Sequence, residues 1–407
     1  MSTHAKLSPS GASRWMSCPG SIVLEADFPN DSSEYAAEGT LAHDIAAQCL
    51  EENLSPHDFV GKRFDVDGFV FTVTTDMAAF IADYMKLVRE YAQTGALLVE
   101  RKVNFSPVIG VEDSFGTSDA IIIGTDTLTV VDLKYGMGVA VSAEDNPQLK
   151  LYALGALNDY GDLADFEHVC MVIHQPRLNS VSECWLSVED LEAFGREAKE
   201  AAATVENAIT TYGAHDDWDA TYLSATEKGC KFCRAKAICP ALRFEVDTVV
   251  GDAASVDDMK SFLQDLDVDT LGNAMDKVAL VEQWCKGVRG ETERRLLDGQ
   301  AVTGYKLVEG RKGNRQWLDE AEAEKTFKSY RFKQDQMYDF KLINPTKAEK
   351  LLSDNPRRWA KLEKLIGRSD GKPSVAPATD RRPEKAVANV AADLRALAFD
   401  GTDATVN

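Results

Sequence analysis

The sequence predicts an α/β fold with a mixed central sheet flanked by helices, followed by a mainly helical C-terminal region. Three observations carry that prediction. Residues 114–135, SFGTSDAIIIGTDTLTVVDLKY, read as two runs rich in β-branched residues around a four-residue turn. Helix and strand patterns then follow one another through residue 212 in the order of an α/β domain. From Met259 onward helical periodicity dominates.

Taken in order, Ser8 is a helix cap with Pro9 at the first helical position, and the short helix to Ser17 delivers Cys18. Glu38-Gly39-Thr40 leads into LAHDIAAQCLEEN, a helix with Leu41, Ile45 and Cys49 on one stripe and His43 in its first turn. Asp76–Ala92 is an amphipathic helix, and Leu97–Phe105 a strand that enters the same sheet as the hairpin. In the hairpin Asp119–Ile123 and Leu128–Leu133 flank Gly124-Thr125-Asp126-Thr127. Beyond Gly136 and Gly138 a short strand is predicted over Val139–Val141. Pro147 starts a helix on which Gln148 and Tyr152, four apart, share a face. Val169–His174 and Val181–Leu186 are strands joined by QPRLNS, and Val188–Tyr212 is a long helix.

This first domain spans 1–244. Acidic, small-residue-rich Glu245–Asp258 reads as a linker within 245–258. Residues 259–368 form a mainly helical accessory region with a hairpin near 299–317, and 369–407 a flexible linker and tail that includes a short helix over Ala386–Phe399.

Composition narrows the class. With 407 residues, 44% hydrophobic and 27% charged, the chain has core enough for two or three domains. No apolar run approaches the roughly 20 residues needed to span a bilayer, and the N-terminus shows no signal core, so no membrane partner is expected and the cytoplasm is the expected compartment. Eight cysteines in that compartment point to metal ligands or buried thiols rather than disulfides. A net charge of −21 argues against a chain that coats nucleic acid over its whole surface. A local channel stays open: Lys286–Trp317 holds eight Lys/Arg against four acids, and Lys341–Lys385 twelve against six, with Tyr305, Trp317 and Trp359 interleaved. Such stretches suit phosphate contacts and base stacking, and equally suit solvated helix faces.

The hairpin carries the chemistry. Asp119 and Asp132 lie close across the ladder, and Asp132 and Lys134, two apart, share one face. Two carboxylates and an ammonium suit Mg²⁺ or Mn²⁺ beside a phosphate; the same residues also suit a solvated ion pair at a strand end. Further on, Cys230, Cys233 and Cys239 have the spacing Cys-x₂-Cys-x₅-Cys, one ligand short of four, and Cys18, followed by proline as Cys239 is, becomes the fourth. Such thiolates suit Zn²⁺ or an iron–sulfur cluster. Cys49, Cys170, Cys184 and Cys285 fall in apolar patterns and read as core thiols.

His43, Gly116-x-x-Asp119, Asp132-x-Lys134 and Gln148-x₃-Tyr152, in this order, resemble the RecB-like branch of the PD-(D/E)XK nuclease superfamily over about residues 8–242. VVDLKYGMGVAV, NPQLKLYALGAL, HQPRLNS and GYKLVEGR resemble most a phage- and prophage-borne group known only as a domain of unknown function. The resemblance implies a restriction-endonuclease-like core and a metal-dependent deoxyribonuclease, an exonuclease by expectation, working in phage or prophage DNA recombination, replication or repair in a bacterial cell. Position by position it implies His43, Asp119, Asp132 and the main-chain carbonyl of Leu133 as Mg²⁺ or Mn²⁺ ligands, Lys134 as the motif lysine, and Gln148 and Tyr152 as residues that contact the DNA backbone and brace the site. It also implies a 4Fe–4S cluster on Cys18, Cys230, Cys233 and Cys239 in preference to Zn²⁺. No GxxxxGK[ST] phosphate loop occurs, so no motor is fused to the nuclease. The expected partners are DNA single strands or duplex ends, with a single-strand annealing protein, recombinase or helicase in trans. The alternative is a non-catalytic DNA-binding recombination accessory with a structural metal cluster.

Overall fold

A computed structural model of the chain describes residues 5–29, 33–93, 95–138, 140–214, 218–250, 268–306, 325, 326, 328–331, 333 and 356–363. Two compact units divide it, Met1–Glu309 and Gly310–Asn407.

In the first unit Ser8 Oγ accepts the Gly11 amide at 3.2 Å and opens a tight turn, Pro9–Gly11, that runs into α1, Ala12–Ser17. After α2, Ser21–Leu24, comes α3, Glu34–Glu51. That helix starts seven residues ahead of the predicted start at Leu41, because the Ser33 hydroxyl, accepting the Ala36 amide at 3.2 Å, supplies the cap. A hairpin of β1, Arg63–Val66, and β2, Phe69–Thr72, turns on Asp67-Gly68, both at positive φ as a two-residue turn of this kind requires. Next come α4, Thr75–Ala92, β3, Ala96–Asn104, α5, Ser106–Ile109, β4, Phe115–Ile123, and β5, Thr127–Leu133. They are followed by α6, Pro147–Tyr160, β6, His168–Gln175, β7, Ser180–Ser187, and α7, Val188–Thr211. The unit finishes with α8, Trp218–Tyr222, α9, Glu227–Cys230, α10, Pro240–Val250, and α11, Val268–Leu297.

The sheet is mixed, ordered β3-β4-β5-β6-β7, with β5 and β6 parallel and every other pairing antiparallel. Each face buries one apolar cluster. On one, Trp15 of α1, Ile109 of α5, Leu151 and Leu154 of α6 and Val205 of α7 cover Ile121, Val130 and Ile173. On the other, Leu41 and Ile45 of α3 with Ile81 and Met85 of α4 cover Ala120, Ile122, Val131 and Val172. β6, covered from both sides, is buried from Val169 to Gln175, as a near-continuous apolar strand must be.

Three sequence expectations need correction. Ala140 and Val141 lie outside any strand, since the Val141 amide bonds the Gln175 side chain at 2.7 Å and not a neighbouring strand; Val139 lies outside the described residues. Glu245–Val250, the first part of the expected linker, is the end of α10; Asp247 pairs with Arg243 one turn earlier and Glu245 with Lys277 of α11, so its acids are used on a helix. Gly299–Lys306 holds a turn and no strand, while the rest of the expected hairpin to 317 lies outside the described residues. In the second unit α12, Pro356–Glu363, is described; the linker and tail expected over 369–407 lie outside the described residues. Among the described residues no helix is long and apolar enough to cross a membrane.

Candidate metal centre

The site forms where the β3–β4 ladder breaks. Val99 pairs with Ala120 and Arg101 with Ser118, which leaves Glu100 opposite Asp119 without a ladder bond. Glu100 has φ +47°, a left-handed conformation that a non-glycine residue adopts only when its surroundings compel it. The break reverses the alternation of faces. On β3, Leu98 packs on the α6 side, yet beyond Glu100 it is the odd-numbered Val103 that does so. On β4, Ala120 and Ile122 face the α3 side, while a Cβ at Gly116 would lie 2.6 Å from Pro9 and 2.7 Å from Tyr152, on the opposite side. This close approach explains the glycine in Gly116-x-x-Asp119.

At the break Asp119 accepts from two directions. Its Oδ1 lies 3.2 Å from His43 Nδ1 on α3, and its Oδ2 takes the Leu133 amide at 2.6 Å. Leu133 therefore reaches the site through its N–H, its side chain being buried in the core. His43, Glu100 and Asp119 each bring a ligand atom to within 4.8 Å of the others, the one such group of three among the described residues. Asp132 stands across from Asp119, one position beyond the last ladder pair, Ala120 and Val131. Its carboxylate lies 2.8 Å from the Lys134 ammonium, which also donates to Gln148 Oε1 at 3.2 Å; Gln148 Nε2 then bonds Tyr152 Oη at 3.2 Å. The Asn146 side chain accepts the Gln148 and Leu149 amides and so fixes the start of α6 on which this relay depends. All the sequence-predicted residues of this set, His43, Asp119, Asp132, Leu133, Lys134, Gln148 and Tyr152, thus lie at one end of the sheet, between the α3 and α6 layers.

Electrostatics describe a cluster short of positive charge. Burial pushes the Glu100 carboxyl up, and the Asp119 charge adds to it, to about 7. Burial likewise raises Asp132 against the opposing pull of Lys134. For His43 burial acts downward, but the Asp119 charge and hydrogen bond, then Asp132 and Glu100, carry its pKa up to about 9. The Asp132 carboxylate takes the Lys134 ammonium on both oxygens, Oδ1 at 3.2 Å and Oδ2 at 2.8 Å. Clustered carboxylates beside an imidazole are a donor set that suits a hard divalent cation, so the residues present fit such an ion.

Two residues were not legible as site members. Glu100 sits in ALLVERKV, an apolar strand pattern in which an acid directly across from Asp119 is the only signal. Tyr84, on the buried stripe of α4, lines the same cleft as His43, Glu100 and Asp119; burial and then the charges of Asp119, Asp132 and Glu100 hold its phenol protonated.

A second constellation closes the other end of the unit. Cys18, Cys230, Cys233 and Cys239 line one cavity together with Arg14 and Lys236, and none is in a disulfide. Burial raises all four thiols, Cys230 to about 11 and Cys233 to about 12. Buried Glu25 accepts the Arg234 amide at 2.6 Å and pairs with Arg14 at 2.7 Å, joining the first helices to the cysteine loop. Of the four expected core thiols, Cys49 and Cys170 are buried in the core and Cys184 packs half-buried against it, whereas Cys285, on α11, is half-buried and belongs to none of the core clusters.

One solved structure, described as "Crystal structure of SSO0001", is similar to this chain at 15% identity, covering 59% of this chain and 89% of that one with a TM-score of 0.26. So slight a likeness carries no argument, and the fold rests on the strand order and register above. A family profile described as "Protein of unknown function (DUF2800)" matches residues 4–383, nearly the whole length; with its mixed five-stranded sheet and flanking helices, the chain belongs to the DUF2800 family.

Proposed function

We propose that this protein is a metal-dependent deoxyribonuclease of the RecB-like, PD-(D/E)XK kind, with an exonuclease's need for an end. The observation that carries the reading is the convergence of His43, Glu100, Asp119 and Asp132 with Lys134 at one end of the sheet, since hard-cation ligands beside a held ammonium are what phosphodiester hydrolysis requires. His43, Glu100, Asp119 and Asp132 would hold Mg²⁺ or Mn²⁺, which when bound supplies Lewis-acid polarisation of a phosphate and an acidified water. Lys134, fixed between Asp132 and Gln148, presents its ammonium to charge developing on phosphate oxygens. Gln148 and Tyr152 hold that ammonium in place and offer an amide and a phenol to the DNA backbone. Asp119, anchored by the Leu133 amide, keeps its remaining oxygen aimed at His43.

The four cysteines, which line one cavity, would hold either a Zn²⁺ ion or, as the family resemblance favours, a 4Fe–4S cluster. Its role would be to staple the chain near Cys18 to that near Cys239.

Cleavage of labelled single- and double-stranded DNA with Mg²⁺, Mn²⁺ or EDTA tests the reading. Asp132→Ala and Lys134→Ala should each abolish cleavage while circular dichroism shows a folded protein. Undiminished cleavage by both variants would reject the assignment, and DNA binding without turnover by the wild type would instead favour a non-catalytic recombination accessory.

A further inference from the structure

Tyr84 is 1% exposed on the inward stripe of α4, among Met77, Ala78, Ile81, Met85 and Val88. Its ring stacks on His174 of β6, 6.1 Å between centroids and 20° between planes. A phenylalanine would fill the same space and make the same stack. The hydroxyl is the part left to explain, and it has no hydrogen-bond partner among the described residues. A buried hydroxyl without a partner is destabilising. Tyr84 lines one tightly enclosed space with His43, Glu100, Asp119 and Leu133, a lining that includes two carboxyl groups.

We infer that Tyr84 is a positioning residue for cation binding, its hydroxyl being a donor held in reserve for the oxygen atoms that gather around the ion. This rests on the reading of the acidic cluster as a divalent-cation site, and it adds a group that contributes no ligand atom. In the metal-free protein the hydroxyl is a local cost; with the ion bound it orients the carboxylates and the solvent among them. Outer partners of this sort typically change metal affinity ten- to hundredfold.

The test is Tyr84→Phe in the full chain, with Mn²⁺ as the probe, followed by electron paramagnetic resonance of the free ion and by calorimetry, neither of which needs turnover. The expected result is Mn²⁺ affinity weakened about tenfold or more, while the thermal midpoint of the metal-free variant equals or exceeds that of the wild type. If the wild type binds Mn²⁺ and the variant binds it equally well, the role of Tyr84 is refuted and the cation site stands. If the metal-free variant melts several degrees lower, the hydroxyl is structural and the inference is overturned. If the wild type itself takes up no Mn²⁺, the cation reading fails, and this inference with it.

Discussion

Glu100 shows how one side chain sets the chemistry of the site. Its left-handed backbone and its place opposite Asp119 bring a third carboxylate against His43. A carboxyl raised to about 7 in the folded chain holds its proton more tightly than the unfolded chain does, so its contribution to stability is complete below pH 4.5 and lost as pH rises through about 7. His43, raised to about 9, acts in the same direction: its contribution is complete below pH 6.5 and lost as pH rises through about 9. The metal-free protein should therefore lose stability steadily from about pH 5 to pH 9, and Glu100→Gln should recover about 1 kcal/mol at pH 8 once solvent screening is allowed for. Thermal melts of the two proteins across that range in EDTA check this; a wild-type midpoint that climbs from pH 5 to pH 9 would contradict it. At this scale the sequence was informative about identity and order. Asp119, Asp132 and Lys134 could be singled out from the hairpin pattern, while His43, Gln148 and Tyr152 could be named from the order of motifs and the family they resemble. Glu100 and Tyr84 could not, since membership for them depends on a ladder break and an unpaired hydroxyl that no pattern of residues encodes.

At the scale of elements, the hairpin of β4 and β5 holds its acids at the end remote from its turn. The turn itself closes as its sequence predicts, the Gly124 amide bonding the Thr127 carbonyl at 3.0 Å. Gly116 allows Pro9 and Tyr152 to meet over β4. Gly116→Ala should force that contact apart at a cost of about 1–3 kcal/mol and displace Tyr152 from Gln148. Chemical denaturation measures the cost, and a variant as stable and as active as the wild type would show that the approach is not needed. Long amphipathic helices such as α4 and α7 were legible to within a residue at each end, because their apolar stripes recur at helical spacing. The expected strand over Val139–Val141 failed for the converse reason: its β-branched residues satisfy strand propensity, but Gln175 takes the Val141 amide through its side chain.

Across the whole molecule, two separate constellations divide the work. The acidic cluster lies between the two helical layers, where each face of the sheet contributes: α3 and α4 bring His43 and Tyr84, α6 brings Gln148 and Tyr152. The four cysteines line one cavity between α1 and the end of the sheet domain, and α11 packs against that region, which carries the first unit well beyond the boundary expected at 244. Protein purified without oxygen should be brown, with iron by elemental analysis. Cys233→Ser should lose the colour and lower the melting midpoint without displacing any residue of the acidic cluster. Zinc in place of iron would assign the cysteines to a zinc site. The most direct test of the central claim compares end-labelled linear DNA with circular DNA in Mg²⁺, Mn²⁺ and EDTA, following product lengths over time. The account predicts nucleotides or short fragments released from linear DNA with either cation, circles left intact, and no products in EDTA. Linear DNA that keeps every phosphodiester bond at all cation concentrations, with protein loaded with its metals, would contradict it.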